Sequence, residues 1–164
     1  MKNEHCPVDL AKVTRFEHFP TANEEEKSEL AARLADATEE LMFYNWCEDI
    51  EGVYVGLFYP GIVSVFLMSI DTRFDEVDRW VWVIVGDMPP AYITCDHAPN
   101  PACALDGYIG AMKEWAEAAS RGESVAQLIP VNVPASPEAG ENLMRRLVFL
   151  EDKILCRHKD DLAC

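Results

Sequence analysis

The sequence has few basic residues: 14 Lys and Arg stand against 29 Asp and Glu, so the formal net charge is −15. A field of this sign repels nucleic-acid phosphates and anionic membrane surfaces, so neither is an expected partner. It attracts basic proteins, which makes neutralisation of a basic toxin, or mimicry of a nucleic acid, a specific hypothesis. Solubility is the simpler explanation, because net charge bears on association rather than on fold.

A long hydrophobic run is also missing. The longest apolar segment, about 62–70, is much shorter than the roughly 20 residues that span a bilayer, and charges occupy the N-terminus where a secretory signal would be apolar. The glycines form neither of the patterns that cradle phosphates, and no serine or cysteine lies in a nucleophile-elbow motif. The sequence therefore predicts one cytoplasmic domain over 1–164, with no signature of a nucleotide-binding protein or a hydrolase.

Cysteines, by contrast, are numerous. The chain has six of them, but a protein of this size without an export signal does not need disulfides, so reduced thiols are expected. One spacing occurs twice. Cys95-Asp96-His97 is followed after five more residues by Cys103, and Cys156-Arg157-His158 is followed in the same way by Cys164.

This repeated spacing raises the hypothesis of a zinc site. Cys and His are ligands that Zn²⁺ prefers, so Cys95, His97 and Cys103 are candidate metal ligands, with His5-Cys6 as a further donor. Neither cluster has the C-x₂-C knuckle of ordinary structural zinc sites, and the second copy extends into a terminal segment where fraying is expected. Coincidence is the alternative explanation.

The first part of the chain predicts a helix and then antiparallel strands. Thr21 or Asn23 can cap a helix whose later residues show an apolar stripe. Pro60-Gly61 suits the centre of a type II turn, which makes the apolar runs on either side a β-hairpin. The predicted elements are an arm over 1–20, a helix over about 22–47, and strands over about 53–59, 62–70, 79–86 and 91–95.

The last third of the chain predicts two further helices. Asn100 followed by Pro101 is a helix start, and so is Ser136 followed by Pro137, whereas the polar tail over 157–164 is expected to fray. The order α-β-β-β-(β)-α-α, with antiparallel neighbours and segregated helices, predicts an α+β domain whose sheet has three to four strands.

The middle strands carry apolar residues at both their odd and their even positions. A strand with one wet face would alternate apolar and polar residues, whereas 62–70 and 80–85 do not. Both faces of the sheet are therefore expected to be covered, either by the chain's own helices or by a second subunit. The second alternative favours a homodimer.

The stretch Trp80–Asp96 delivers a carboxylate to the edge of the sheet. Its first strand stops at Gly86, and Asp87 then precedes a turn with two prolines. A carboxylate at a strand end suits a catalytic base or a ligand-binding group, and the alternative is that it accepts hydrogen bonds from the turn's backbone. Because Asp96 and His97 end the next segment, we expect them to share one rim of the sheet with Asp87.

The same stretch resembles a family of bacterial proteins. The run W-V-W-V-I-V-G-D-M-P-P-A-Y-I, then N-P-A-C-A-L-D-G-Y and a later Trp115, is similar to domain of unknown function 4826. Members carry a W-V-x-x-G-D-x-P segment, a proline-started helix with an Ala-Leu pair, and a later Trp. Met88 and Pro90 depart from that pattern. The resemblance covers Trp80–Trp115; it implies a bacterial α+β domain and carries no activity.

Two classes of function remain at this point. The leading hypothesis is a soluble, acidic, cytoplasmic binding or interaction module, a homodimer without enzymatic activity, of which an immunity-type inhibitor of a basic toxin is one form. The alternative is a small metal-dependent or acid–base enzyme that uses Asp87, Asp96 and His97. Apart from zinc, no cofactor is expected.

Overall fold

The fold is an antiparallel sheet with helices packed on it. The computed structural model describes residues 6–162. Across the sheet and along the chain, the strands are β1 (Thr14–Arg15), β2 (Asp49–Tyr59), β3 (Val63–Asp71), β4 (Trp80–Gly86) and β5 (Met88–Thr94). The α-helices of the described residues are α1 (Glu24–Met42), α2 (Pro101–Ser120) and α3 (Pro137–Phe149). This architecture confirms the predicted α+β fold, with five strands in place of three or four.

The N-terminal arm joins the sheet. Thr14 and Arg15 pair with Val55 and Tyr54 of β2, and the backbone N–H of Asp9 donates to the carbonyl of Pro99 at 3.0 Å. Both contacts join segments that are far apart in sequence. Local sequence patterns therefore predicted only an irregular arm.

The β2–β3 turn forms as predicted. Gly61 has φ +75°, the left-handed conformation that glycine adopts at low cost. The backbone N–H of Ile62 donates to the carbonyl of Tyr59 at 3.0 Å and closes the hairpin.

The β4–β5 turn is tighter than predicted. Gly86 pairs with Met88 across a single residue, Asp87, and the expected proline-locked turn is wrong. Pro89 and Pro90 lie inside β5 instead. A strand at the edge of a sheet tolerates proline because its outer side needs no N–H donors.

Asn23, one of the two caps predicted for the first helix, and Asn100, the cap predicted for the second, both cap their helices. The side chain of Asn23 accepts from the backbone N–H of Glu26 at 2.9 Å, and that of Asn100 accepts from the N–H of Cys103 at 2.9 Å. These bonds satisfy donors that the first turn of a helix leaves unpaired. The first helix is nonetheless shorter than predicted, because α1 ends at Met42.

The C-terminal segment also differs from the prediction. A π-helical turn over Leu150–Ile154 and a 3₁₀ segment over Leu155–Asp161 continue the chain after α3. The side chain of Asn100 donates to the carbonyl of Asp161 at 2.9 Å, and Lys12 forms an ion pair with the Asp161 carboxylate at 3.0 Å. These contacts order the tail up to residue 161, where fraying was expected.

Each face of the sheet has its own core. Helices α2 and α3 cover one face, where they pack on Val65, Leu67, Trp82 and Ile84. Helix α1 covers the other, where it packs on Phe66, Met68, Val81 and Val83. The chain's own helices therefore cover both faces, and a second subunit is not needed for that purpose.

Candidate functional site: an acidic, aromatic cavity

Asp87 lies at the β4–β5 turn and is open to solvent. Its side chain is 73% exposed, and one carboxylate oxygen lies 3.8 Å from the Nε atom of Arg146 on α3. Among the described contacts, its carboxylate accepts no hydrogen bond from the turn. Asp87 therefore bridges the turn to α3, which neither sequence alternative anticipated.

Asp96 and His97 lie at the opposite end of β5. Seven residues separate the β4–β5 turn from the end of this strand, a distance of about 20 Å at the usual rise per residue. Both side chains are exposed, and His97 has φ +62° in the turn that leads to α2. The shared rim with Asp87 does not form, because the two ends of β5 lie at opposite ends of the sheet.

The proposed zinc ligands have other surroundings. Cys95 is buried with its sulfur 3.5 Å from the carbonyl of Trp80, and burial raises the pKa of its thiol to about 12. Cys103 is disulfide-bonded, which corrects the expectation of a reduced thiol there. No group of three His, Cys, Asp or Glu side chains within residues 6–162 could hold a metal ion. His5 and Cys164 lie outside the described residues.

A cavity of about 550 Å³ opens beside the edge strand, and three separate segments form its walls. The last turns of α1 contribute Asp36, Glu39 and Glu40. The β4–β5 turn contributes apolar groups, among them Met88, and the loop between α2 and α3 contributes the segment 130–132. This cavity is the candidate functional site.

The carboxylates of the cavity stand at the negative end of a helix dipole. Helices favour cations in the last turn, yet α1 has no basic residue there. Asp36 is paired with Arg33 at 3.1 Å. Within the described part of the chain, neither Glu39 nor Glu40 forms an ion pair, and no Lys or Arg lines the cavity. The dipole of α1 and the carboxylates of Glu39 and Glu40 thus both make the electrostatic potential in the cavity more negative.

Two aromatic residues, Phe43 and Tyr44, line the cavity next to these carboxylates, and further rings pack against Tyr44. Tyr44 stacks on Trp46 with ring centroids 5.1 Å apart and 18° between the planes. Tyr92 of β5 meets Tyr44 edge-on at 5.0 Å. Phe43 lines the cavity and is 82% exposed. Aromatic faces beside carboxylates bind cations well, because the face of a ring is electron-rich.

Glu40 is the partly buried carboxyl of this site. The hydroxyl of Tyr44 donates to its Oε1 at 3.3 Å. Burial raises the pKa of the Glu40 carboxyl, and the bond from Tyr44 offsets part of that effect. Burial, with the charge of Glu40, raises the pKa of Tyr44 to about 12. The ionised carboxylate of Glu40 therefore destabilises the folded state, because burial removes part of its hydration.

This cost predicts a pH-dependent effect of Glu40→Gln. A carboxyl with a raised folded pKa binds its proton more tightly in the folded state, so stability falls as the pH rises through that value. Glutamine keeps an acceptor for Tyr44 and has no charge. We expect the substitution to raise the melting temperature at neutral pH and to change it little at about pH 3, where both states hold the proton. Calorimetry at both pH values measures this, and an equal gain at both would contradict it.

The sequence contains one signal for this site, but the helical spacing of the surrounding residues offers an ordinary explanation for it. Glu39 and Glu40 fit the acidic face of an amphipathic helix, which is ordinarily solvated. The informative signal is their position: acidic residues lie in the last turn, and Phe43-Tyr44 begins three residues after Glu40. Acidic residues there reverse the usual preference for cations at a helix end.

No family model matches the chain, and no curated protein and no solved structure matches it either. The resemblance to domain of unknown function 4826 therefore stays a prediction. Within residues 6–162, no helix is both long and apolar enough to cross a membrane.

Proposed function

We propose that this protein is a binding module without enzymatic activity, and that a basic protein partner inserts a cationic side chain into the acidic, aromatic cavity. One observation carries the proposal: Glu39 and Glu40 lie at the negative end of α1 beside exposed Phe43, with no Lys or Arg lining the cavity within the described residues. The net charge of −15 would steer a basic partner towards this surface.

Arginine suits the cavity better than lysine does. A guanidinium group is planar, so it can stack on the exposed ring of Phe43 while its N–H groups donate to a carboxylate. Charged hydrogen bonds of this kind strengthen where water is partly excluded. An immunity-type inhibitor that neutralises a basic toxin in a bacterial cytoplasm is the specific form of this proposal.

The enzyme alternative gains no support from the geometry. Its three residues, Asp87, Asp96 and His97, are exposed and lie at opposite ends of β5. An acid–base pair has to reach the same reacting group within hydrogen-bond distance. These three residues therefore do not form one acid–base site, and the proposal rests on the cavity.

A titration with a synthetic arginine-rich peptide tests the proposed function. We expect Glu39→Gln combined with Glu40→Gln to weaken binding about tenfold or more, since two charge contacts are lost, one of them at the partly buried Glu40. The matched control is Asp75→Asn with Glu76→Gln, which removes the same charge from the exposed loop at the other end of β4. Isothermal titration calorimetry gives the dissociation constants, and a lysine-rich peptide of equal charge should bind more weakly.

The salt dependence of peptide affinity distinguishes binding in the cavity from attraction of the peptide by the overall negative charge. Wild-type affinity should fall as ionic strength rises, with a shallower dependence in the cavity variant. Equal losses in the cavity and loop variants would show that only the overall field attracts the peptide, and the proposal would then be wrong.

A further inference from the structure

A second, smaller pocket lies between α1 and the turn of the β2–β3 hairpin. Its volume is about 230 Å³, and Glu29 and Arg33 of α1 line it together with Gly61, Ser64 and Gly86. We call it the hairpin pocket. Of the residues that line it, only Gly86 also lines the acidic, aromatic cavity. Sites for drug-sized ligands begin at about 300 Å³, so this pocket suits a ligand of few heavy atoms.

Two opposite charges of the hairpin pocket are held apart. Glu29 and Arg33 have the spacing and order at which helical ion pairs commonly form, yet no ion pair joins them within residues 6–162. One oxygen of Glu29, Oε2, instead accepts from the backbone N–H of Gly61 at 2.7 Å. The Nε atom of Arg33 pairs with Asp36 at 3.1 Å. The second oxygen of Glu29 and the two terminal amino groups of Arg33 therefore stay available to a ligand.

Ser64 adds a buried hydroxyl to these charges. The residue is only 1% exposed. Its neighbours Val63 and Val65 belong to the core under α2 and α3, so the alternation of the strand points Ser64 towards α1. Its cross-strand partners Phe58 and Val85 confirm this, because they pack in the core under α1. No described residue forms a hydrogen bond with the Ser64 hydroxyl. Buried polar groups nearly always have a partner, so this hydroxyl indicates a polar ligand.

The charges of the hairpin pocket favour a ligand that carries both signs. A simple anion would lie beside Glu29 in a protein whose net charge is −15, and a simple cation would lie beside Arg33. Four residues of helix separate Glu29 from Arg33 by about 6 Å along the axis. An α-amino acid has its ammonium and carboxylate groups on one carbon, so it can form a charged hydrogen bond with each of these side chains.

We infer that the hairpin pocket binds a small free α-amino acid, of the size of glycine or alanine. The carboxylate of the ligand accepts from Arg33 and from the hydroxyl of Ser64, and its ammonium group donates to Glu29. A peptide does not fit in this way, because its two charged termini lie on different residues. The inference does not rest on the proposed function, since different carboxylates form the two sites.

A titration of the full chain with L-alanine, followed by the ¹H–¹⁵N NMR spectrum, tests the inference. The amide signals of Gly61 and Gly86 should shift together and saturate, whereas that of Gly110, which lies on α2 away from the pocket, should not move. We expect a dissociation constant of about 10 µM to 1 mM, because so few heavy atoms limit the affinity. Propionate lacks the ammonium group and ethylamine lacks the carboxylate, so each should bind about tenfold or more weakly.

Substitutions assign each contact of the ligand. Ser64→Ala and Arg33→Gln should each weaken alanine binding about tenfold, since each removes a hydrogen bond to the carboxylate. Glu29→Gln keeps an acceptor for the N–H of Gly61 but loses the charge, so alanine should then bind no more tightly than propionate does. Glu25→Gln removes the same charge from an exposed position of α1 outside the pocket and should change nothing. The spectrum of each variant also shows that it folds.

Three outcomes would overturn the inference. The first is an alanine titration to about 20 mM that shifts neither Gly61 nor Gly86. The second is propionate or ethylamine binding as tightly as alanine, which would make this a site for a single charge. The third is an equal loss of affinity in Glu25→Gln and Glu29→Gln, which would place binding outside the pocket. None of these results bears on the arginine-rich peptide, whose binding is measured with variants of the other cavity.

Discussion

Gly86→Ala is expected to lower the free energy of unfolding by about 3 kcal/mol or more, from backbone strain and overpacking together. Gly86 has φ +153°, a conformation that L side chains rarely adopt, and an added Cβ would lie 2.4 Å from the carbonyl oxygen of Ile62 and 3.0 Å from Cα of Val63. Both neighbours are backbone atoms of the adjoining hairpin, so neither can rotate away. The β4–β5 turn would have to move, and it forms one wall of the cavity.

The measurement is a chemical denaturation curve, supported by a melting temperature that should fall by about 6–12 °C in a chain of this size. Gly61→Ala is the matched control. It has φ +75°, but nothing lies within 4 Å of its added Cβ, so only the left-handed strain of about 1–2 kcal/mol applies. Equal losses at the two glycines would show that the contact with Ile62 relaxes at no cost.

Gly140→Ala should also destabilise the fold, by about 2–3 kcal/mol. Its added Cβ would lie 2.5 Å from the carbonyl oxygen of Ala116 and 2.7 Å from the backbone nitrogen of Ser120, both on α2. Glycine at this position lets α3 approach α2 closely. Alanine would separate the two helices and open the core beneath them, despite its better intrinsic helix propensity.

A substitution on α2 serves as a control, because it should raise the stability that Gly140→Ala lowers. Gly110 lies mid-helix with nothing within 4 Å of an added Cβ, so Gly110→Ala should stabilise the protein by about 0.5–1 kcal/mol. Denaturation curves for both variants give the comparison. Stabilisation by both substitutions would mean that the α2–α3 contact at Gly140 is looser than its distances indicate.

The sequence predicted those parts of the fold that depend on neighbouring residues. Pro60-Gly61 sets its own turn, and Asn23 and Asn100 cap helices through bonds that span three positions. The apolar runs of β3 and β4 predicted burial on both faces because a strand exposes alternate residues to alternate sides. Each of these signals lies within a few residues of the structure that it specifies.

Features that depend on distant segments were not predictable in this way. The cavity joins the end of α1, the β4–β5 turn and the loop at 130–132, and no local pattern indicates that these segments meet. Pro89-Pro90 illustrates the same limit, since a proline pair is typical of a turn unless the strand that contains it lies at an edge. The position of β5 at the edge of the sheet is what allows Pro89 and Pro90 to lie in a strand.

The prolines of β5 also restrict how a partner can approach the cavity. An exposed edge strand can bind an extended peptide by continuing the sheet, which needs free N–H and carbonyl groups along the edge. Pro89 and Pro90 have no N–H groups, and the carbonyl of Pro89 already accepts from the hydroxyl of Tyr108 at 2.6 Å. The Pro89–Pro90 part of this edge, next to the cavity, is therefore a poor template for β-strand addition. Recognition at the cavity has to come from side chains, and a partner can present its arginine from a helix or a loop as readily as from an extended strand.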